Sequence, residues 1–173
     1  NLISKTENGQ TTTYTYDTEN RLVGVETPDG SWTYEYDVFG NRIATVRDGE
    51  RTEYLVDPLG ADDPELPTNG LPNVIGEYDN NGNLVANYAH GLGLETRVDG
   101  SSSSYFDFDA LGSTAGLSGG SGQYQNSYSY DPFGHVINKS ETISNLFEYV
   151  GQWGVMAEGN GLDLMLVRFN DPV

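Results

Sequence analysis

Apolar and polar positions alternate with a period of two through most of the chain. Trp32, Tyr34 and Tyr36 alternate with Thr33, Glu35 and Asp37. This is the signature of a strand that buries one face, and aromatic residues suit a pleated surface. Asp37 then opens a turn by accepting backbone N–H groups two residues on. Gly40 supplies a positive φ, which Asn41 also tolerates, and residues 42–46 start the next strand. The unit recurs. Asp17, Asp37 and Asp57 stand 20 residues apart, Asp79 follows after 22, and Asp109 and Asp131 are again separated by 22. Gly40, Gly60, Gly82, Gly112 and Gly134 each lie three residues beyond their aspartate. The longer gap between Asp79 and Asp109 holds a degenerate copy, Tyr88-Ala89-His90-Gly91. Repeats of this length decide the fold. About 20 residues accommodate two short strands and two turns, so the period predicts an all-β meander of antiparallel hairpins. Asn8-Gly9, Pro28-Asp29-Gly30 and Asp48-Gly49 supply the intervening turns. Over residues 1–60 the two kinds of turn are expected to alternate, one kind at each edge.

Some stretches depart from this rhythm. Pro58, Pro64, Pro67 and Pro72 interrupt residues 58–73, which predicts an excursion from the sheet because central strands exclude proline. Residues 74–78 and 83–88 read as a hairpin around Asn81-Gly82. Residues 101–104 and 117–123 read as flexible polar loops. Residues 146–150 read as a strand, and residues 162–169 form the most apolar run. The expected organisation is a hairpin ribbon over residues 1–139, with residues 140–173 belonging to the same structural domain.

Composition narrows the function classes. The chain has 173 residues, 8 basic and 26 acidic, for a net charge of −18. That balance argues against binding nucleic-acid backbone, which needs basic patches, and against an anionic membrane surface. No stretch reaches the roughly 20 apolar residues of a membrane helix. With no cysteine there is no disulfide framework. The first residues already read as strand, so the expectation is a segment of a longer repeat array.

Candidate chemistry is sparse. Asp57, Asp62, Asp63 and Glu65 cluster in the proline-rich stretch, but without the Asp-x-Asp-x-Asp-Gly spacing of a calcium loop, and a solvated acidic loop is the reading. His90 lacks a nearby His, Cys or catalytic Ser, which points to a structural role. The glycine-rich residues 116–122 lack the Lys-Ser/Thr ending of a phosphate cradle. No Gly-x-Ser-x-Gly or His-Glu-x-x-His motif occurs. No metal, cofactor or enzymatic activity is expected.

Taken together, Tyr34-Glu35-Tyr36-Asp37-Val38-Phe39-Gly40-Asn41-Arg42, Tyr105-Phe106-Asp107-Phe108-Asp109-Ala110-Leu111-Gly112, Tyr128-Ser129-Tyr130-Asp131-Pro132-Phe133-Gly134 and Arg168-Phe169-Asn170-Asp171-Pro172 resemble the Rhs repeat, or YD-repeat, family. The resemblance covers nearly the whole chain, and residues 140–173 resemble the end of an Rhs core. It implies a strand ribbon that spirals into a hollow shell, as in bacterial polymorphic toxins, insecticidal toxin complexes and teneurins. The implied function is a non-catalytic structural segment that encapsulates, carries or presents a toxin polypeptide, in a secreted or cell-surface protein. Its partners would be neighbouring YD-repeat segments, or other copies of the chain, and the enclosed toxin. In many bacterial members an aspartate pair with a nearby arginine cuts the peptide and releases the toxin. Arg168 and Asp171 match the first half of that arrangement, and the second aspartate segment is not present in this chain. One carboxyl cannot be both acid and base, so self-cleavage is not expected. The alternative is an adhesion or carbohydrate-binding module. There Tyr14, Tyr16, Trp32, Tyr34 and Tyr36 would stack on sugars, although cross-strand packing accounts for them more simply.

Overall fold

A computed structural model describes residues 1–58, 72–100, 102–165 and 168–172. It is all-β. The first seven strands are β1 (Ser4–Glu7), β2 (Gln10–Tyr16), β3 (Leu22–Thr27), β4 (Gly30–Tyr36), β5 (Arg42–Arg47), β6 (Glu50–Asp57) and β7 (Asn73–Tyr78). They continue as β8 (Leu84–His90), β9 (Leu94–Asp99), β10 (Ser102–Phe108), β11 (Thr114–Gly119), β12 (Tyr124–Tyr130) and β13 (Val136–Glu141). These thirteen form one antiparallel sheet in strict chain order. Three short strands, β14 (Met156–Ala157), β15 (Asp163–Met165) and β16 (Arg168–Asn170), make a second sheet.

One turn geometry repeats along the ribbon. The aspartate N–H donates to the carbonyl four residues on, and the N–H three residues on donates back to the aspartate carbonyl. This holds for the turns that begin at Asp17, Asp37, Asp79, Asp109 and Asp131. In each, aspartate Oδ1 also accepts N–H groups from two and four residues on, as Asp37 does from Phe39 at 2.8 Å and Asn41 at 2.9 Å. The fourth turn residue has positive φ and is Gly40, Gly82, Gly112 or Gly134, with Asn20 in the first copy. A bulge lies immediately before each aspartate, as at Glu35/Tyr36 and Ser129/Tyr130. The bulge re-aims the chain into the turn.

Strict strand order makes successive turns fall on opposite edges of the ribbon. The turns after β2, β4, β8, β10 and β12 share one edge, here called the lower edge, and those after β1, β3, β5, β7, β9 and β11 share the upper. The Asp79 turn follows β7 and therefore sits on the upper edge, opposite Asp17, Asp37, Asp109 and Asp131. The alternation expected over residues 1–60, one kind of turn at each edge, holds among the described residues there and ends at Asp79. The turn geometry is set locally and is indifferent to edge.

Two expectations are corrected. Ser102–Ser104 and Leu117–Gly119 lie in β10 and β11, with Ser104 and Leu117 buried, so they are not flexible loops. Residues 119–123 form a turn of the same geometry, in which Gly119 replaces the aspartate. Residues 146–150 are irregular and lead into a single 3-10 turn, Gly151–Trp153. Their backbone is spent elsewhere: Thr114 N–H donates to the Glu148 carbonyl at 2.9 Å, and Thr114 Oγ1 donates to the Phe147 carbonyl at 2.6 Å. Most of the proline-rich excursion, including Gly60, Asp62, Asp63 and Glu65, lies outside the described residues, and Asp57 ends β6 opposite Asn73.

Two apolar clusters lie on one face of the ribbon. Leu22, Val25, Trp32 and Tyr34 pack with Leu162. Tyr54, Ala86, Tyr88, Leu94, Phe106, Leu117 and Tyr128 pack with Phe147, Met156 and Leu164. Both clusters are therefore completed by residues beyond β13.

Candidate functional site: the aromatic face and its covering segment

The strands that run down to the lower edge carry the large rings. Trp32 and Tyr34 are 2% and 3% exposed, while Tyr14, Tyr16 and Tyr36 are half-buried at the margin. Burial raises the hydroxyl of Tyr36 to about 12, with smaller opposing effects from nearby charges, and likewise pushes up Tyr34. Guanidinium groups lie over these rings, Arg21 over Tyr36 at 5.0 Å and Arg47 over Trp32 at 5.2 Å. Such contacts favour both groups when partly desolvated.

Residues 142–165 and 168–172 lie over this face. Phe147 is 1% exposed and meets Tyr88 edge-on at 5.0 Å. Phe169 lies 5.3 Å from Tyr34. Asn160 Nδ2 donates to the Tyr34 hydroxyl at 2.8 Å. At the far end Lys5 of β1 pairs with Asp171 at 2.7 Å. The segment thus touches the ribbon from β12 back to β1.

The central contact is ionic. Arg42, at the start of β5, pairs with Glu158, and both side chains are almost wholly buried. The rings of Tyr34 and Tyr54 flank the guanidinium at 5.1 and 5.6 Å. Desolvation alone would lower the Arg42 pKa, but Glu158 outweighs it and the net shift is upward. Arg42 was visible only as a repeat residue, and nothing local in the sequence connects it to Glu158, 116 positions away.

Other carboxylates are buried elsewhere beneath the covering segment and in the ribbon. Glu148 accepts from Lys139 at 2.7 Å, and Glu77 accepts from the Tyr88 hydroxyl at 2.9 Å. Asp163 is raised to about 6, first by desolvation and then by the neighbouring charge of Glu148. Desolvation also raises Glu148 and Glu77. Glu77 and Glu148 are each bonded to a neighbouring side chain, whereas Asp163 keeps one buried oxygen, Oδ2, without a hydrogen-bond partner. Among the described residues no group of three His, Cys, Asp or Glu is placed to hold a metal ion. His90 Nε2 is 2.9 Å from the Val74 carbonyl, and burial lowers its pKa.

The remaining predicted residues fall at the margins. Asp171 is held by Lys5, and Arg168 opens β16 opposite Met165, exposed. Beside Asp171, a cleft of about 320 Å³ is lined by Tyr14, Trp32, Gln10, Thr12 and Asn160 among others. The five aromatic candidates therefore do not form one exposed platform. Trp32 and Tyr34 belong to the core, and Tyr14 and Trp32 meet at the cleft.

Comparison with known proteins is consistent with this architecture. The RHS Repeat family profile matches residues 1–31. The chain is 28% identical over 98% of its length to the tRNA3(Ser)-specific nuclease WapA of Bacillus spizizenii, and 29% identical over the same share to the tRNA nuclease WapA of Bacillus subtilis. It spans 7% of the length of each, so the activity in their names describes far larger proteins. Among solved structures, TcdB2-TccC3 matches with a TM-score of 0.64 at 15% identity, covering 95% of this chain and 9% of that one. A Photorhabdus luminescens Tc holotoxin pore matches with a TM-score of 0.62 at 14% identity, covering 93% and 8%. At that identity the likeness is one of fold. No helix among the described residues is long and apolar enough to cross a membrane, which says nothing of a β-barrel.

Proposed function

We propose that the chain is a member of the Rhs/YD-repeat family and a wall segment of a larger strand-ribbon shell that encloses or presents another polypeptide. The observation that carries this reading is the single thirteen-stranded sheet in strict chain order. Its shared fold with TcdB2-TccC3 along 95% of the chain supports it. A ribbon of this kind extends by adding hairpins, and each hairpin needs its neighbours to complete a core. The role is structural, and a secreted or cell-surface setting belongs to the same proposal. Arg168 and Asp171 act here as strand and clasp residues.

The test is the solution mass of the native particle containing this chain, with protease protection of any polypeptide that co-purifies. The expected mass is far above 18.9 kDa, with a protected companion. A particle near that mass with no companion would sink the proposal. The cleft between Tyr14, Trp32 and Asn160 would then move the carbohydrate-binding reading to first place. A glycan array with wild type and Tyr14→Ala checks it directly.

A further inference from the structure

Two tyrosines on the side of the ribbon away from the covering segment share a groove. Tyr105 of β10 and Tyr124 of β12 are 50% and 63% exposed. Their common face follows from register. Phe106 and Leu117 are buried in the core under the cover, so their neighbours Tyr105 and Ser118 point the other way. Tyr105 pairs with Ser118 across β10 and β11. On its other side Ser118 pairs with Tyr124, across a bulge that skips Gln125. Without that bulge, alternation from the buried Asn126 would turn residue 124 inward. The result is a row of three residues, large, small and large, running across the strands. Tyr124 is seated as well as aimed, because a Cβ on Gly116 would lie 2.6 Å from its ring. Rings two strands apart are separated by roughly 10 Å. The groove, of about 470 Å³, is lined by these rings with Ser103, Ser121, Gln123 and Gln125 among others, and none of its lining residues is charged. The chain around it has 8 basic and 26 acidic residues. Gln125 Oε1 accepts from Ser104 Oγ at 2.7 Å, so what Gln125 offers a ligand is its amide N–H.

We propose that this groove binds a proline-rich segment of another polypeptide in the polyproline II conformation. That helix has about three residues per turn and rises about 3.1 Å per residue, so prolines at i and i+3 stand roughly 9 Å apart. One proline stacks on each ring, and the two residues between them pass over Ser118. The backbone of such a segment makes no internal hydrogen bonds and has no N–H at proline, so it presents carbonyl oxygens. The hydroxyls of Ser103 and Ser121 and the amides of Gln123 and Gln125 are donors for them. The charge-free lining fits a neutral ligand, and a net charge of −18 repels an acidic one. A preformed polyproline II helix also loses little conformational entropy on docking to an aromatic-lined groove. A neutral oligosaccharide stacks on rings too, but the match between ring spacing and one helical turn favours the peptide. The groove lies on the face opposite the covering segment, so this proposal stands whether or not the chain is a shell wall.

Titration of the isotope-labelled 173-residue chain with acetyl-hexaproline amide, followed by amide chemical shifts, tests the proposal. The expected result is saturable shifts at Ser103, Gly119, Ser121 and Gln123, with a dissociation constant on the order of 0.1–1 mM. Tyr105→Ala and Tyr124→Ala should each weaken binding at least about fivefold, while Tyr124→Phe keeps it. All three variants should melt as the wild type does, because both rings are exposed, and the dispersion of each variant's own spectrum shows that it is folded. Absence of shifts up to about 5 mM peptide overturns the proposal. So do shifts confined to other strands, binding that survives both alanine substitutions, or equal binding of a Gly-Ser hexapeptide. Cellohexaose binding in the groove where the proline peptide does not would make this a saccharide site, and the peptide proposal falls.

Discussion

The ribbon and the segment that covers it are built on different principles. In β1–β13 every strand pairs with its neighbours in sequence, and the turn bonds span four residues or fewer. In residues 142–165 and 168–172 the decisive contacts reach back across the chain, to Arg42 from Glu158, to Tyr34 from Asn160 and to Lys5 from Asp171. The ribbon is a local, repeated solution that supplies one aromatic face. The segment is a single, non-repeated solution to covering that face. Repetition therefore does not by itself close the core. An irregular stretch does, because it can place Phe147, Met156, Leu162 and Leu164 where the rings leave room.

The sharpest way to break this comparison is to cut the covering segment from the ribbon electrostatically. Glu158→Ala leaves the Arg42 guanidinium buried and unpaired. It should cost about 3–5 kcal/mol, read by denaturant unfolding. A loss below about 1 kcal/mol would mean that the pair is solvated and the segment not tightly docked.

Two glycines in the same turn position separate the regions next. Gly82 and Gly134 both have positive φ, at 76° and 103°. A Cβ at Gly82 meets nothing within 4 Å, whereas at Gly134 it would lie 2.6 Å from Tyr149 Cδ1, a residue of the covering segment. Gly82→Ala should cost about 1–2 kcal/mol, the backbone penalty alone. Gly134→Ala should cost measurably more. Equal losses in the two variants would show that Tyr149 is not seated on the ribbon.

Acidity tests the segment's interior. Asp163 has a pKa of about 6 in the fold, against an ordinary value of 3.8. Between those values the folded state binds more protons than the unfolded, so this residue makes stability rise as pH falls through 6 toward 4. Asp163→Asn should therefore raise the melting temperature at about pH 7.5 and have little effect at about pH 4.5. An equal effect at both would place the carboxyl in water. The turn carboxylates act oppositely. In Asp37 desolvation works upward but is outweighed by hydrogen bonds from Asn41 and neighbouring N–H groups, and its pKa falls. In Asp79 the Asn83 side-chain bond leads the lowering.

The smallest effect belongs to the margin. Lys5→Met removes the Asp171 clasp, a partly exposed pair, and should change stability by less than about 1 kcal/mol. Differential scanning fluorimetry with a resolution of a degree or so is enough to check it.

The sequence by itself determined the turns and the strands between them. Their information is local: an aspartate, a residue of positive φ three positions on, and an alternating run on each side. Asp37 and Gly40 act within five residues of each other, so no distant contact is needed to specify their geometry. The same locality misled where the signal was absent. Gly119 forms the turn without an aspartate, and the Ser102–Ser104 stretch pairs as strand because β9 and β11 lie beside it, whatever its own propensity. Which edge each turn occupies was decided by counting strands, which placed Asp79 opposite the turns it resembles. The cover over the aromatic face was decided by tertiary structure alone. Phe147 and Glu158 lie in no periodic pattern, and their burial depends on rings and a guanidinium more than fifty residues away. Hydrogen bonds across a turn are fixed by neighbours in sequence, whereas burial depends on which distant surfaces meet.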